Sequence, residues 1–181
     1  MDGLDLLKKY TRHKNVAILS RGNEAILEAL KLVKRVNPKK RVIIPDQGGW
    51  LTYEKYILDS GFDIIKIKTD RGVIIPDILK KNILDSAALL ITSFAGYYSE
   101  QPLEEISKIC KQNQCLLIED ASGSIGDNKL CNGLLSDIIV GSFGQWKIVN
   151  YGNYGFISSN FNLSLLLSNC QPSSVPPIVI L

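Results

Sequence analysis

One lysine, Lys147, sits in "SFGQWKIVNYGNYGF" (142–156) with no other charged residue in the stretch. A lysine that only solvates a surface usually has charged company. One set among turn formers after an apolar run ("DIIVG", 137–141) can instead act as an amine nucleophile toward a carbonyl carbon. Ser142, five residues earlier, could bring a hydroxyl to the same place. Three further features could join them. Asp120 ends the apolar run "LLIED". Trp50 follows two glycines that let a flat ligand approach its face. Ser20-Arg21-Gly22-Asn23 opens a helical pattern, where free backbone N–H groups and the helix dipole favour an anion. Each also has a plain structural explanation: an N-cap for Ser20 or Asn23, a cap or turn for Asp120, core packing for Trp50.

The elements that must position these residues alternate in type. Residues 16–20, 41–45, 62–68, 87–93, 115–120, 137–143 and 155–159 read as short strands, apolar on both faces as a covered sheet requires. Residues 22–36, 51–60, 76–84 and 102–113 read as amphipathic helices. In the last of them Leu103, Ile106, Ile109 and Cys110 form one stripe. The alternation predicts an α/β fold: a doubly wound, mostly parallel sheet of about seven strands with helices on both faces. In such sheets ligands collect beyond the carboxyl ends of the strands. Those ends carry, in order, an anion loop, an aromatic plate, an acid, a hydroxyl and a lysine. Pyridoxal 5'-phosphate needs that set: a helix N-terminus for its phosphate, an aromatic face, a carboxylate for its ring nitrogen and a lysine for its aldehyde.

Composition narrows the classes. The 181 residues suffice for one domain with a full core, and 45% apolar with 22% charged content is ordinary for a globular chain. A net charge of +3 is too mild to imply nucleic acid, and "KKYTRHK" and "KRVNPKKR" read as solvated faces. The four cysteines (Cys110, Cys115, Cys131, Cys170) have no CxxC spacing and His13 is the sole histidine, so free thiols of a reducing cytosol are expected rather than a zinc site. No apolar run is long enough for a membrane span and the N-terminus has no secretory pattern, which gives a cytoplasmic expectation. No G-x-G-x-x-G follows the first strand, which ranks a Rossmann nucleotide binder low. The last twenty residues hold three prolines and no charge. The expected organisation is therefore a domain over 1–165 and a tail or linker over 166–181.

Two stretches carry a family resemblance. "PLEEISKICKQNQCLLIEDASGSIG" (102–126) resembles a motif ending E-D-A-A-Q-A. "SDIIVGSFGQWKIVNYGNYGFISS" (136–159) resembles G-D-x-x-x-x-S-F-x-x-x-K-x-x-x-x-G-x-x-G, and "SRGNEAI" more weakly resembles S-G-T-A-A-L. Together they make the chain look like the DegT/DnrJ/EryC1/StrS sugar aminotransferases of the aspartate aminotransferase-like fold, over residues 5 to 165. The resemblance implies pyridoxal phosphate as cofactor, Lys147 as Schiff-base lysine, Asp120 as partner of the ring nitrogen and Trp50 as stacking plate. It implies that Ser20, Ser142 and the backbone of Gly22 and Asn23 hold the phosphate. An amino acid donor, a keto-sugar nucleotide and a homodimer are the implied partners. Gly123 departs from the family's glutamine, Arg21 and Asn23 depart from its small residues, and "GGW" carries one residue more than its usual turn. The chain is also about half a family member's length. This implies a large domain lacking its C-terminal half, which a separate chain could supply. The rival expectation is a catalytically inactive remnant of the same fold serving as a structural or interaction module.

Overall fold

The computed structural model describes residues 3–97 and 99–164. In chain order the elements are α1 (Gly3–Thr11), β1 (Asn15–Leu19), α2 (Gly22–Val36), β2 (Arg41–Pro45), α3 (Tyr53–Asp59), β3 (Asp63–Ile67), the two-residue strands β4 (Thr69–Asp70) and β5 (Val73–Ile74), α4 (Pro76–Asn82), β6 (Ser86–Phe94), α5 (Leu103–Gln112), β7 (Leu116–Gly123), β8 (Ile138–Ser142) and β9 (Gly155–Ser159). Seven strands form one sheet in the order β1-β9-β8-β7-β6-β2-β3. Only β9 runs antiparallel to its neighbours, so the other six strands end on one edge. The expected doubly wound, mostly parallel sheet is present.

Alternation along the strands builds a layer on each face. Val42, Ile44, Ala88 and Leu90 pack with Ala25, Ala29, Leu30 and Val33 of α2 on one face. Ile43, Leu89 and Ile91 pack with Leu79 of α4 and Ile106 and Cys110 of α5 on the other. Each fully buried leucine or isoleucine contributes about 1.5–3 kcal/mol. β6 lies between β2 and β7 and is buried from Ser86 through Ser93, because both its faces are covered.

Three local features go beyond the elements read from the sequence. The strand expected over 115–120 runs further: β7 continues through Gly123, whose backbone pairs with Phe94 of β6. Residues 3–11 form α1, stabilised on its buried side by Leu7 and by Thr11, whose hydroxyl donates to the Leu7 carbonyl at 2.7 Å. Residues 69–74 form the small β4–β5 hairpin. Cys110, Cys115 and Cys131 are free and buried. Cys170 and the tail expected over 166–181 lie outside the described residues.

Candidate active site

At the common strand edge a cavity of about 290 Å³ is walled by Arg21, Gly22, Asn23, Ile26, Trp50, Asp120, Ser122, Ser142, Gly144, Lys147 and Asn153. Gly22, Asn23, Trp50, Asp120, Ser142 and Lys147, singled out in the sequence, thus converge from four separate segments. Ser20 does not join them. It is exposed, and its amide and hydroxyl both donate to Glu24 Oε2, at 2.9 and 2.6 Å. It secures the entry to α2 and leaves the wall to Arg21.

The end of the cavity at the start of α2 is built by close approach. The first bonds within α2 run from the Glu24 and Ala25 amides to the Arg21 carbonyl, so the Gly22 and Asn23 amides precede the intrahelical ladder. A Cβ on Gly22 would stand 2.7 Å from Ser142 Cβ, and one on Gly155 would meet the Gly22 nitrogen at 2.5 Å. Glycine at both positions lets the helix start touch the ends of β8 and β9. Ser142 Oγ accepts from the Gly144 amide at 3.1 Å, which fixes the hydroxyl at the mouth of the turn.

Trp50 is carried by the 46–52 loop, and that loop is docked at both ends. Asn23 Oδ1 accepts from Trp50 Nε1 at 2.9 Å and from the Thr52 hydroxyl at 3.3 Å. Gly48 has a positive φ of 77°, and a Cβ there would lie 2.9 Å from Gly72 Cα in the β4–β5 hairpin. Gly48, the first glycine of "GGW", is the residue that permits this backbone contact. Asn23 therefore ties the aromatic plate to the helix N-terminus. The Lys147 ammonium lies 4.9 Å from the centroid of the Trp50 ring, on its face. Lys147 closes a turn by donating its amide to the Gly144 carbonyl at 3.2 Å, and Trp146 before it takes a φ of 71° and is 90% exposed.

Asp120 is 6% exposed. Its Oδ1 accepts from the Ser122 amide at 3.1 Å and the Ser122 hydroxyl at 2.6 Å, and its Oδ2 from the Tyr53 hydroxyl at 2.9 Å. Burial, reinforced by the Asp120 charge, pushes the Tyr53 phenol well above its ordinary range, so it remains a donor. Tyr53 and Ser122 were not singled out in the sequence. Ser122 has a local signal, an Asp-x-Ser spacing suited to a side-chain turn. Tyr53 lies 67 residues from Asp120 with no local signal.

Gly123 has its own structural cause. A Cβ there would meet the Phe94 ring at 2.4 Å, so the glutamine that the resemblance would put at that position would require that half-exposed ring to move. Among the described residues, no group of histidine, cysteine and acid side chains is arranged to hold a metal ion, and no helix is long and apolar enough to cross a membrane.

Residues 5–162 match the model of the DegT/DnrJ/EryC1/StrS aminotransferase family. No curated protein sequence matches. Among solved structures, the chain is similar to NtdA from Bacillus subtilis, crystallised with bound cofactor PMP, at 27% identity and a TM-score of 0.72, covering 87% of this chain and 36% of that one. A variant of GDP-4-keto-6-deoxymannose-3-dehydratase (ColD) with bound GDP-perosamine matches at 21% identity and a TM-score of 0.74, covering 90% and 46%. An aminotransferase from Psychrobacter cryohalolentis matches at 18% identity and 0.72, covering 86% and 40%. The last two likenesses concern the fold. The chain spans less than half the length of each of these structures.

Proposed function

The chain belongs to the DegT/DnrJ/EryC1/StrS aminotransferase family, and from that premise we propose that its cavity holds pyridoxal 5'-phosphate for transfer of an amino group from an amino acid to a keto sugar carried on a nucleotide. The observation that carries the reading is the convergence of a helix N-terminus, a hydroxyl, an indole face, a buried carboxylate and a lysine on one cavity of about 290 Å³. That donor set fits the cofactor group by group. When bound, the cofactor supplies an aldehyde carbon that exchanges amines and a ring that accepts electron density.

The chain's own residues divide the work. The Gly22 and Asn23 amides, the Ser142 hydroxyl and the Arg21 guanidinium would hold the phosphate. Asp120 Oδ2 would accept the ring N–H and favour a protonated ring nitrogen. Trp50 would cover one face and exclude water there. Lys147 Nζ would be the amine that anchors the cofactor through its aldehyde carbon. As a free amine it would be the base for the proton on the donor's α-carbon. Glutamate is the donor that the family resemblance suggests, and a homodimer or a C-terminal portion like that of the longer solved structures would complete the acceptor site.

A second reading is a cofactor-fold module without turnover. It is favoured by the cavity's size, which lies at the lower end for small-molecule sites and suits a cofactor better than a cofactor together with a sugar nucleotide. Gly123, closed off by Phe94, also removes a contact that the resemblance would give to the cofactor.

Absorption titration with pyridoxal phosphate, followed by amino-transfer assays with glutamate and a keto-sugar nucleotide, separates the two. We expect saturable cofactor binding with weak turnover by the chain alone and faster turnover when a C-terminal portion is added. Binding without turnover under either condition would favour the module. Failure to bind the cofactor would contradict both readings.

A further inference from the structure

We propose that Tyr53 is a positioning residue of this site: its phenol, supplied with a proton by Thr92, holds Asp120 so that one lone pair of Oδ2 stays open toward the cavity. The inference rests on reading the cavity as a pyridoxal phosphate site. Tyr53 is the first residue of α3 and is 1% exposed. It is not part of the cavity wall; its phenol reaches the site through Asp120, while its amide donates to the Trp50 carbonyl at 3.0 Å, a bond that Tyr53→Phe would keep.

Proton counting gives the network a direction. Tyr53 OH lies 2.8 Å from Thr92 Oγ1 and 2.9 Å from Asp120 Oδ2. A phenol has one proton to give and an ionised carboxylate can only accept. The Tyr53 proton therefore goes to Asp120, and the Thr92 hydroxyl donates to the Tyr53 oxygen. Burial keeps that proton on the phenol, as described above, so the direction does not reverse. At the other oxygen, Ser122 supplies two donors to Oδ1. A carboxylate offers about four acceptor positions. Three are filled here, and the one left belongs to Oδ2 of a residue that lines the cavity.

Ser122 alone would pin one oxygen and leave the other free to swing. Tyr53 removes that freedom and helps keep the buried carboxylate ionised, because a desolvated charge is retained only with donors around it. A buried tyrosine can also be mere packing, since its ring belongs to the α2–α3 core layer. The two roles separate under Tyr53→Phe, which keeps the ring and deletes the phenol.

The test is a double-mutant cycle on the full chain. The affinity for pyridoxal phosphate and the absorption band of its ring-protonated bound form are measured in the wild type, Tyr53→Phe, Asp120→Asn and the double variant. Tyr53→Phe should weaken binding about tenfold, the size of one lost hydrogen bond to a charged group. It should also weaken the ring-protonated band, as Asp120→Asn does. In the Asp120→Asn background the same change should cost no more than about twofold, since its effect passes through Asp120. Thr92→Val, which removes the phenol's own donor, should give a smaller loss of about threefold and serves if Tyr53→Phe does not fold. Equal losses in both backgrounds, or no loss in the wild-type background, would overturn the proposal. A wild-type chain that binds no cofactor would remove the functional reading and this inference together, whereas a wild type that binds, with equal losses, removes the inference alone.

Discussion

Two consecutive carboxylates on β7, Glu119 and Asp120, are buried in opposite ways. Glu119 is 0% exposed and its acceptor positions are taken up. Oε1 accepts from the Ser93 hydroxyl and the Cys131 amide, each at 2.7 Å. Oε2 accepts from the Ser136 hydroxyl at 2.7 Å and the Asn132 amide at 3.4 Å. Glu119 thereby clamps the 131–136 loop across the edge of the sheet. Asp120, on the other face, has three donors and borders the cavity. A carboxylate saturated by its own chain is structural, and one with an open position facing a cavity is available to a ligand. Neighbouring residues of the same charge thus differ in surroundings because a strand sends successive side chains to opposite faces.

The largest test of the contrast is Glu119→Gln. It replaces one accepting oxygen by an NH2 group facing the donors from Asn132 and Ser136, at a fully buried position. A loss of about 3 kcal/mol is expected, as for other buried charged networks broken on one side. Urea unfolding measures it, and a loss below about 1 kcal/mol would mean that the clamp is not structural. Asp120→Asn should behave in the opposite manner. Ser122 and Tyr53 can still bond the amide, so stability should fall by only about 1 kcal/mol, while the ring-protonated form of bound cofactor is largely lost. Comparable unfolding midpoints for the two variants would erase the distinction.

How far this contrast could be read in advance depends on where its signals lie in the chain. β2, β6 and β8 were legible because their apolar runs are short, rich in branched residues and covered on both faces. Lys147, Asp120 and Trp50 were legible because each is chemically out of place in its surroundings. The end of β7 was not, since Ser122 and Gly123 resemble loop residues. Their strand conformation comes from pairing with β6, and the Phe94 ring lies over Gly123. α1 was missed because its charged residues mask a single apolar side. Tyr53 was hidden for a different reason: a contact spanning 67 residues has no local trace in a helical pattern. Ser20 was read as an anion ligand although Glu24, four residues on, was already a visible partner.

Two smaller predictions concern the loop that Glu119 holds. His13 packs against it, with Nε2 3.0 Å from the Ser136 carbonyl and Nδ1 3.0 Å from the Ser158 hydroxyl. Burial lowers its pKa from the ordinary 6.5 despite those bonds. The unfolded chain therefore takes up a proton more readily than the folded one. The contribution of neutral His13 is complete above about pH 6.5 and is lost as pH falls below it. Between pH 7.5 and 5.5 the wild type should lose more stability than His13→Gln. Parallel pH profiles for the two proteins would contradict this. Smallest of all, the Cys131 thiol is pushed up to about 12 by burial and by the Glu119 charge. It should resist thiol reagents at pH 8 in the folded wild type and react faster in Glu119→Gln. Equal labelling rates would show that Glu119 does not govern access to it.

The most direct test concerns Lys147. Reduction of the chain with borohydride in the presence of pyridoxal phosphate, followed by peptide mapping, would locate any bond between the cofactor's aldehyde carbon and an amine. The account predicts a single modified peptide carrying the label on Lys147, abolished in Lys147→Ala while that variant remains folded. Label on another lysine, or none on a folded chain, would contradict it.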